Sequence, residues 1–184
     1  LTSLEELEIQ DCGSLLPFPV NYLPASLKSL ECYRCDKFDL KSQSWQGRNL
    51  ELLTLHHCQS LKVVLLGSFP MLKRLSINHC KGIEMLLVPP CGIGDQSSLT
   101  SLQSLMPLPE GGLPAPNVTG ISLSFCEKLK ALPERMESLL PSLLHLNLFS
   151  CPELECFPKG GLPSSLLSLD ISNCKKVMRP TRVG

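Results

Sequence analysis

The stretch Leu143-Leu-His-Leu146-Asn-Leu148-Phe-Ser-Cys151 decides how the chain is read, because its rule, Leu-x-x-Leu-x-Leu-x-x-Cys, recurs along the 184 residues. Upstream it stands as Leu4, Leu7, Ile9, Cys12; as Leu27, Leu30, Cys32, Cys35; as Leu50, Leu53, Leu55, Cys58; as Leu72, Leu75, Ile77, Cys80; and as Val118, Ile121, Leu123, Cys126. Downstream it returns as Leu166, Leu169, Ile171, Cys174. Copies start at 4, 27, 50, 72, 118, 143 and 166, so the steps are 23, 23, 22, 46, 25 and 23, and the long step is twice the unit. A further apolar residue follows each Cys by three places: Leu15, Phe38, Leu61, Ile83, Leu129, Leu154 and Val177.

The fourth and sixth positions of each copy are apolar with one residue between them, which is strand alternation. Both side chains then point inward, while positions three, five and seven point outward. One such strand cannot bury its apolar face alone. Parallel stacking joins the inward Leu and Ile residues into a continuous core and leaves the outward positions as an open sheet. A fixed period of this size marks a solenoid.

The template resembles a leucine-rich repeat, in the variant with Cys where Asn is usual at the ninth position. The phrases Pro158-Lys-Gly-Gly-Leu-Pro163, Leu129-Lys-Ala-Leu-Pro-Glu134 and Leu1-Thr-Ser-Leu4 are similar to the C-terminal repeats of plant nucleotide-binding leucine-rich-repeat disease-resistance receptors. The resemblance covers nearly the whole chain. It implies an α/β-type solenoid: a leucine-rich-repeat horseshoe with a parallel β-sheet on its concave face and mostly irregular convex connections. The whole of 1–184 is expected as one such domain of about eight repeats.

Composition agrees with this reading. The chain is 43% hydrophobic but only 5% aromatic, so the core is built from aliphatic side chains. Seventeen basic and seventeen acidic residues cancel, so neither nucleic acid nor a membrane surface is the expected partner. No run approaches the roughly eighteen apolar residues that span a bilayer. Leu1 already lies inside a repeat and no polar capping segment closes either end, so no leader is expected here and the segment reads as truncated at one or both ends.

Between 86 and 117 the pattern degrades. Matching Leu99-Thr-Ser-Leu102 to Leu1-Thr-Ser-Leu4 runs a strand into Pro107; matching Pro109-Glu-Gly-Gly-Leu-Pro114 to Pro158-Lys-Gly-Gly-Leu-Pro163 starts a copy at Gly94 and keeps the spacing, with steps of 22 and 24. The second register is preferred, and either leaves one degenerate repeat near 94–117. Pro17-Phe-Pro19 predicts an extended return path. Pro133 to Pro141 has room for a short helical turn. Trp45 reads as a shield for the edge of its own core, the acidic Glu5, Glu6, Glu8 and Asp11 as a solvated face that would also suit a basic partner, and Lys175, Lys176, Arg179 and Arg182 as a basic tail too short to argue for nucleic acid.

Seven of the ten cysteines, Cys12, Cys35, Cys58, Cys80, Cys126, Cys151 and Cys174, share the ninth position and read as a buried ladder. Cys32, Cys91 and Cys156 remain, an odd number that fits a reducing cytoplasm better than a cross-linked secreted scaffold. His57 and His79 share the eighth position, which sets them roughly 5 Å apart on neighbouring strands. Zinc needs ligands converging on one centre, whereas stacked strands present parallel rows, so no metal site is expected here. Cys32-Tyr-Arg-Cys35 has redox spacing, but both thiols occupy inward positions. The sequon Asn117-Val-Thr119 is of a kind that often arises by chance.

No phosphate-cradling loop, nucleophile elbow or His-Glu-x-x-His helix is present, and neither catalysis nor a cofactor is expected. Function is therefore assigned to the open sheet. Its fifth positions are Glu8, Glu31, Thr54, Ser76, Ser122, Asn147 and Asp170; its seventh are Gln10, Tyr33, His56, Asn78, Ser124, Phe149 and Ser172. These residues are polar, varied and free of the core's demands, with Tyr33 and Phe149 as anchors for a protein ligand. The resemblance implies a cytoplasmic immune receptor that binds a pathogen effector or host protein, with the repeats contributing to autoinhibition of an adjacent nucleotide-binding domain. Two alternatives stay open: substrate-recognition repeats of an F-box ubiquitin-ligase adaptor, and an extracellular leucine-rich-repeat receptor or enzyme inhibitor.

Overall fold

Alternation at the fourth and sixth repeat positions takes physical form as stacked parallel strands in the computed structural model, which describes residues 3–13, 24–38, 49–87, 117–158 and 160–177. In chain order the elements are β1 (Glu6–Gln10), β2 (Ser29–Tyr33), β3 (Leu52–His56), β4 (Val63–Leu65), β5 (Arg74–Asn78), β6 (Met85–Leu87), β7 (Gly120–Ser124), the single-turn helix α1 (Met136–Leu139), β8 (His145–Phe149) and β9 (Ser168–Ser172). The main sheet runs β1-β2-β3-β5-β7-β8-β9 and every pairing is parallel. This is the leucine-rich-repeat solenoid that the template implies, with little helix; α1 fills the stretch between Pro133 and Pro141.

Register is kept coil after coil. Leu7 pairs with Leu30, Leu30 with Leu53, Leu53 with Leu75, Leu75 with Ile121, Ile121 with Leu146, and Leu146 with Leu169. A one-residue slip would turn each inward pair out to water, so burial itself fixes the register. The inward positions are closed in the middle of the stack, where Leu53, Leu55, Ile77, Leu123 and Leu148 have no accessible surface. They open at its last strand, where Leu169 is 42% exposed because no further described coil covers it. The apolar residues three places after Cys belong to the same core, from Phe38 through Leu61, Ile83 and Leu129 to Leu154.

The ninth-position cysteines form the expected ladder, and their hydrogen bonds explain why a small donor is required there. Each thiol after Cys12 reaches back to the sixth-position carbonyl of the preceding coil: Cys35 to Ile9 at 3.6 Å, Cys58 to Cys32 at 3.7 Å, Cys80 to Leu55 at 3.6 Å, Cys126 to Ile77 at 3.9 Å, Cys151 to Leu123 at 3.7 Å and Cys174 to Leu148 at 3.7 Å. None of the nine described cysteines is in a disulfide. Cys32 is itself a sixth-position core residue, whose thiol is pushed well up by burial and then by neighbouring Cys58. Cys156 is exposed on the opposite wall.

That wall carries a second, shorter ladder. β4 pairs with β6, and isolated bridges continue the line from Met85 to Ala131 and from Ala131 to Cys156. Each of these residues lies about five places past its Cys, so the connections are regular at this point too. The position-2 residues Glu5, Lys28, Glu51 and Lys73 alternate in sign down the stack, with ion pairs at 2.9 Å (Glu5–Lys28) and 2.8 Å (Glu51–Lys73). Such exposed pairs are screened and add little stability, but like charges would meet if coils were exchanged.

The long step has a specific outcome. Most of 94–117, where the degenerate repeat is expected, lies outside the described residues, as do Pro17, Trp45, Cys91 and the arginines of the basic tail. Around it, however, β5 pairs directly with β7, so the sheet has no place for a strand between them. Three contacts on different walls agree: Lys81 pairs with Glu127 at 2.8 Å, Lys130 N–H donates to the Glu84 carbonyl at 3.3 Å, and Asn117 Nδ2 donates to the Pro70 carbonyl at 2.8 Å. The last repeats the bond from Asn49 to the Ala25 carbonyl two coil pairs earlier. The sequon asparagine is thus a stacking residue.

Two substitutions test this packing by urea unfolding. Leu123→Ala, in the closed middle, is expected to cost roughly 2–5 kcal/mol, whereas Leu169→Ala costs below about 1 kcal/mol; equal losses would contradict the graded core. Gly82→Ala should destabilise by on the order of 2 kcal/mol, since its Cβ would collide with the Gln59 and Leu61 carbonyl oxygens.

Candidate recognition surface

The fourteen fifth- and seventh-position residues lie where alternation puts them, on the solvent face of the main sheet. The first row runs Glu8, Glu31, Thr54, Ser76, Ser122, Asn147, Asp170, and the second Gln10, Tyr33, His56, Asn78, Ser124, Phe149, Ser172, each residue opposite the next. All are half-buried or exposed. On this geometry they are open to a ligand without cost to the core.

A third row joins them, and alternation alone does not reveal it. Asp11, Arg34, His57, His79, Phe125, Ser150 and Asn173, the residues before each Cys, all have left-handed backbone with φ between 51° and 59°. This turn ends each strand and sends the following Cys into the core. The N–H of each of the first six still donates to the seventh-position carbonyl of the next strand, at 2.8–2.9 Å. A left-handed residue other than Gly costs roughly 1 kcal/mol, and Asp, Asn and His tolerate it best, which accounts for four of the seven.

Because these side chains sit beside the seventh-position row, they build an aromatic strip across the sheet. His57 stacks on His79 with centroids 4.6 Å apart, and His79 stacks on Phe125 at 4.1 Å. Phe125 meets Phe149 edge-on at 5.1 Å. His56 lies 4.7 Å from His57, 5.6 Å from His79 and 5.7 Å from Tyr33. The 5 Å spacing foreseen for His57 and His79 is thereby met, while Phe125, which the alternation of the template does not single out, links the histidines to Phe149. The clue in the sequence is its place immediately before Cys126.

Polar contacts flank the strip at Tyr33 and beneath its middle. The Tyr33 hydroxyl donates to Glu31 Oε2 at 2.6 Å, and this bond, then burial, pushes the phenol up to about 12. Asp11 is held by Arg34, with Nη2 to Oδ2 at 2.7 Å, and its carboxyl is lowered mainly by that bond. Asn78 Oδ1, in the row between His56 and Ser124, is buried with no hydrogen-bond partner among the described residues. Among those residues no group of three or more His, Cys, Asp or Glu is arranged to hold a metal ion, and no helix is long and apolar enough to cross a membrane.

A stacked parallel sheet renewed about every two dozen residues, with a varied polar and aromatic face, defines a leucine-rich-repeat solenoid. Known proteins make the kinship narrower. The chain is 38% identical over 95% of its length to disease resistance protein At3g14460 of Arabidopsis thaliana, and spans 13% of that protein. It is 28% identical over 96% of its length to the Arabidopsis protein Suppressor of npr1-1, constitutive 1, spanning 12% of it. With disease resistance protein RPS4B, also from Arabidopsis, it shares 25% identity over 84% of its length and 15% of the relative's. The chain is thus homologous to plant disease-resistance proteins and corresponds to a small part of each. No protein-family model matches it, and no solved structure does.

The imidazoles give this surface a pH response. Burial lowers the pKa of both His56 and His79; next, His57 and His79 act on His56, and His57 and Lys81 act on His79, with Arg34 also lowering the first and Glu127 opposing at the second. Both are therefore neutral at pH 7. Unfolded histidines take up protons below about 6.5 while these two resist, so stability is lost as pH falls through that value. Imidazole resonances of His56 and His79 are expected to titrate below the ordinary value, and melting temperature to fall between about pH 7 and pH 5 by less in His79→Asn. Titration at or above the ordinary value would contradict the stack.

Proposed function

We propose that this segment is the protein-recognition module of an intracellular plant immune receptor. Its sheet face reads a pathogen effector or a host protein, and by contact with an adjacent nucleotide-binding domain it contributes to holding the receptor inactive. The single observation that carries the reading is a sheet face with three aligned rows of side chains that the core does not need, on a chain homologous to disease-resistance proteins. The reading is of a binder and not an enzyme. A thiol ladder bonded to carbonyls requires reduced sulfur, which supports a cytoplasmic setting.

The test replaces Tyr33, His56 and Phe149 together by Ala in the full-length protein. All three are on the face and none belongs to the aliphatic core, so the melting of the 184-residue chain is retained. The pathogen-triggered response falls by roughly tenfold or more, as loss of clustered aromatic anchors does at other interfaces. An unchanged response with an unchanged fold rejects the sheet face as the recognition surface.

A further inference from the structure

We propose that the sheet face docks a cationic segment of a partner polypeptide, with basic side chains over β1 and β2 and an apolar or aromatic side chain on the strip that begins at Tyr33. This rests on the sheet face being the recognition surface, and it names the chemistry of what that face accepts.

The fold leaves negative charge uncompensated at its first two strands. Of the acidic residues at repeat positions two to eight of the first two coils, Glu5 is paired with Lys28 and Asp11 with Arg34. Glu6, Glu8 and Glu31 form no ion pair among the described residues, and Glu8 lies opposite Glu31 in the fifth-position row. Two like carboxylates facing each other across strands repel, and a cation placed between them relieves the repulsion. Farther along the sheet, Arg74 on β5 and Asp170 on β9 are isolated single charges, so the negative potential is concentrated at β1 and β2.

The strip begins where the carboxylates end. Tyr33 bridges the two, its hydroxyl on Glu31 and its ring 5.7 Å from His56. From there the rings continue through His79 and Phe125 to Phe149, which is 37% exposed. Aromatic faces attract ammonium and guanidinium groups as well as apolar side chains. Carboxylates and ring faces both call for a donor-rich, positively charged visitor, and phosphate-bearing polymers are repelled.

Geometry limits the form of the visitor. From β1 to β8 is five strand spacings, roughly 24 Å, the reach of an extended segment of about seven or eight residues. Strands β2 to β8 are paired on both sides, so the face cannot accept an added strand there and must be read through side chains.

Three pools of fluorescent ten-residue peptides test this on the 184-residue chain, each peptide carrying one aromatic residue and the pools differing only in being cationic, neutral or acidic. Anisotropy is expected to show the cationic pool binding at least roughly tenfold tighter than the acidic one, with the preference collapsing between about 0.05 M and about 0.3 M salt. It should also collapse in the near-isosteric variant E6Q/E8Q/E31Q, whose retained melt shows that the fold is intact, and the partial variant E8Q/E31Q should lose part of it. H79N/F125N, which keeps residues that tolerate the left-handed turn, should weaken all pools. Equal binding of the pools, or a cationic preference that survives E6Q/E8Q/E31Q, overturns the cationic partner and leaves the recognition surface standing provided H79N/F125N still weakens binding. No binding by any pool, or binding untouched by H79N/F125N, overturns both.

Discussion

A five-residue strand carrying two inward aliphatic side chains has nowhere to bury them except against the next strand of the same kind. Each coil therefore depends on its neighbours, and the dependence is visible in exposure: Leu53 and Leu123 are wholly covered, while Leu169 on the last strand is 42% exposed. Burying one leucine is worth roughly 1.5–3 kcal/mol, so a coil removed from the stack forfeits most of what stabilises it. Parallel pairing in one register is the arrangement that closes every inward pair at once.

The same constraint creates the rows of the proposed recognition face. In-register stacking aligns not only the residues that point in but also those that point out, and a column of unrelated side chains becomes a continuous strip. The turn before each Cys couples the two sides of the sheet. It aims a thiol at the preceding coil's carbonyl and, in the same movement, sets His57, His79 and Phe125 beside His56 and Phe149. Core ladder and aromatic strip are two faces of one backbone geometry.

Periodicity in the sequence made the strands, the inward pairs, the cysteine ladder and the fourteen outward residues legible, because each rests on position within the repeat. Phe125 escaped because strand alternation says nothing about a residue in left-handed backbone, where the side chain leaves at an angle that neither a strand nor a helix has. The 46-residue step was legible as a multiple of the period but not in its consequence. Length alone suggests an intervening coil, whereas the pairings of Leu75 with Ile121 and Lys81 with Glu127 bring the flanking coils together. Resemblance to disease-resistance receptors was legible in short phrases such as Pro158-Lys-Gly-Gly-Leu-Pro163, and the charge polarity of the face follows only once the ion pairs that silence Glu5 and Asp11 are known.

The stack is contiguous across that step, and disulfide trapping tests this directly. Ser76 and Ser122 are register partners on β5 and β7, on the solvent face, one strand spacing of about 4.8 Å apart, within the range that a disulfide bridges. Thr54 and Ser76, partners on β3 and β5, form the control pair. With cysteines introduced at either pair and mild oxidation followed by peptide mass mapping, both are expected to cross-link to similar extent. Cross-linking of the control pair but not of Ser76→Cys with Ser122→Cys would place another coil between them and contradict the stack.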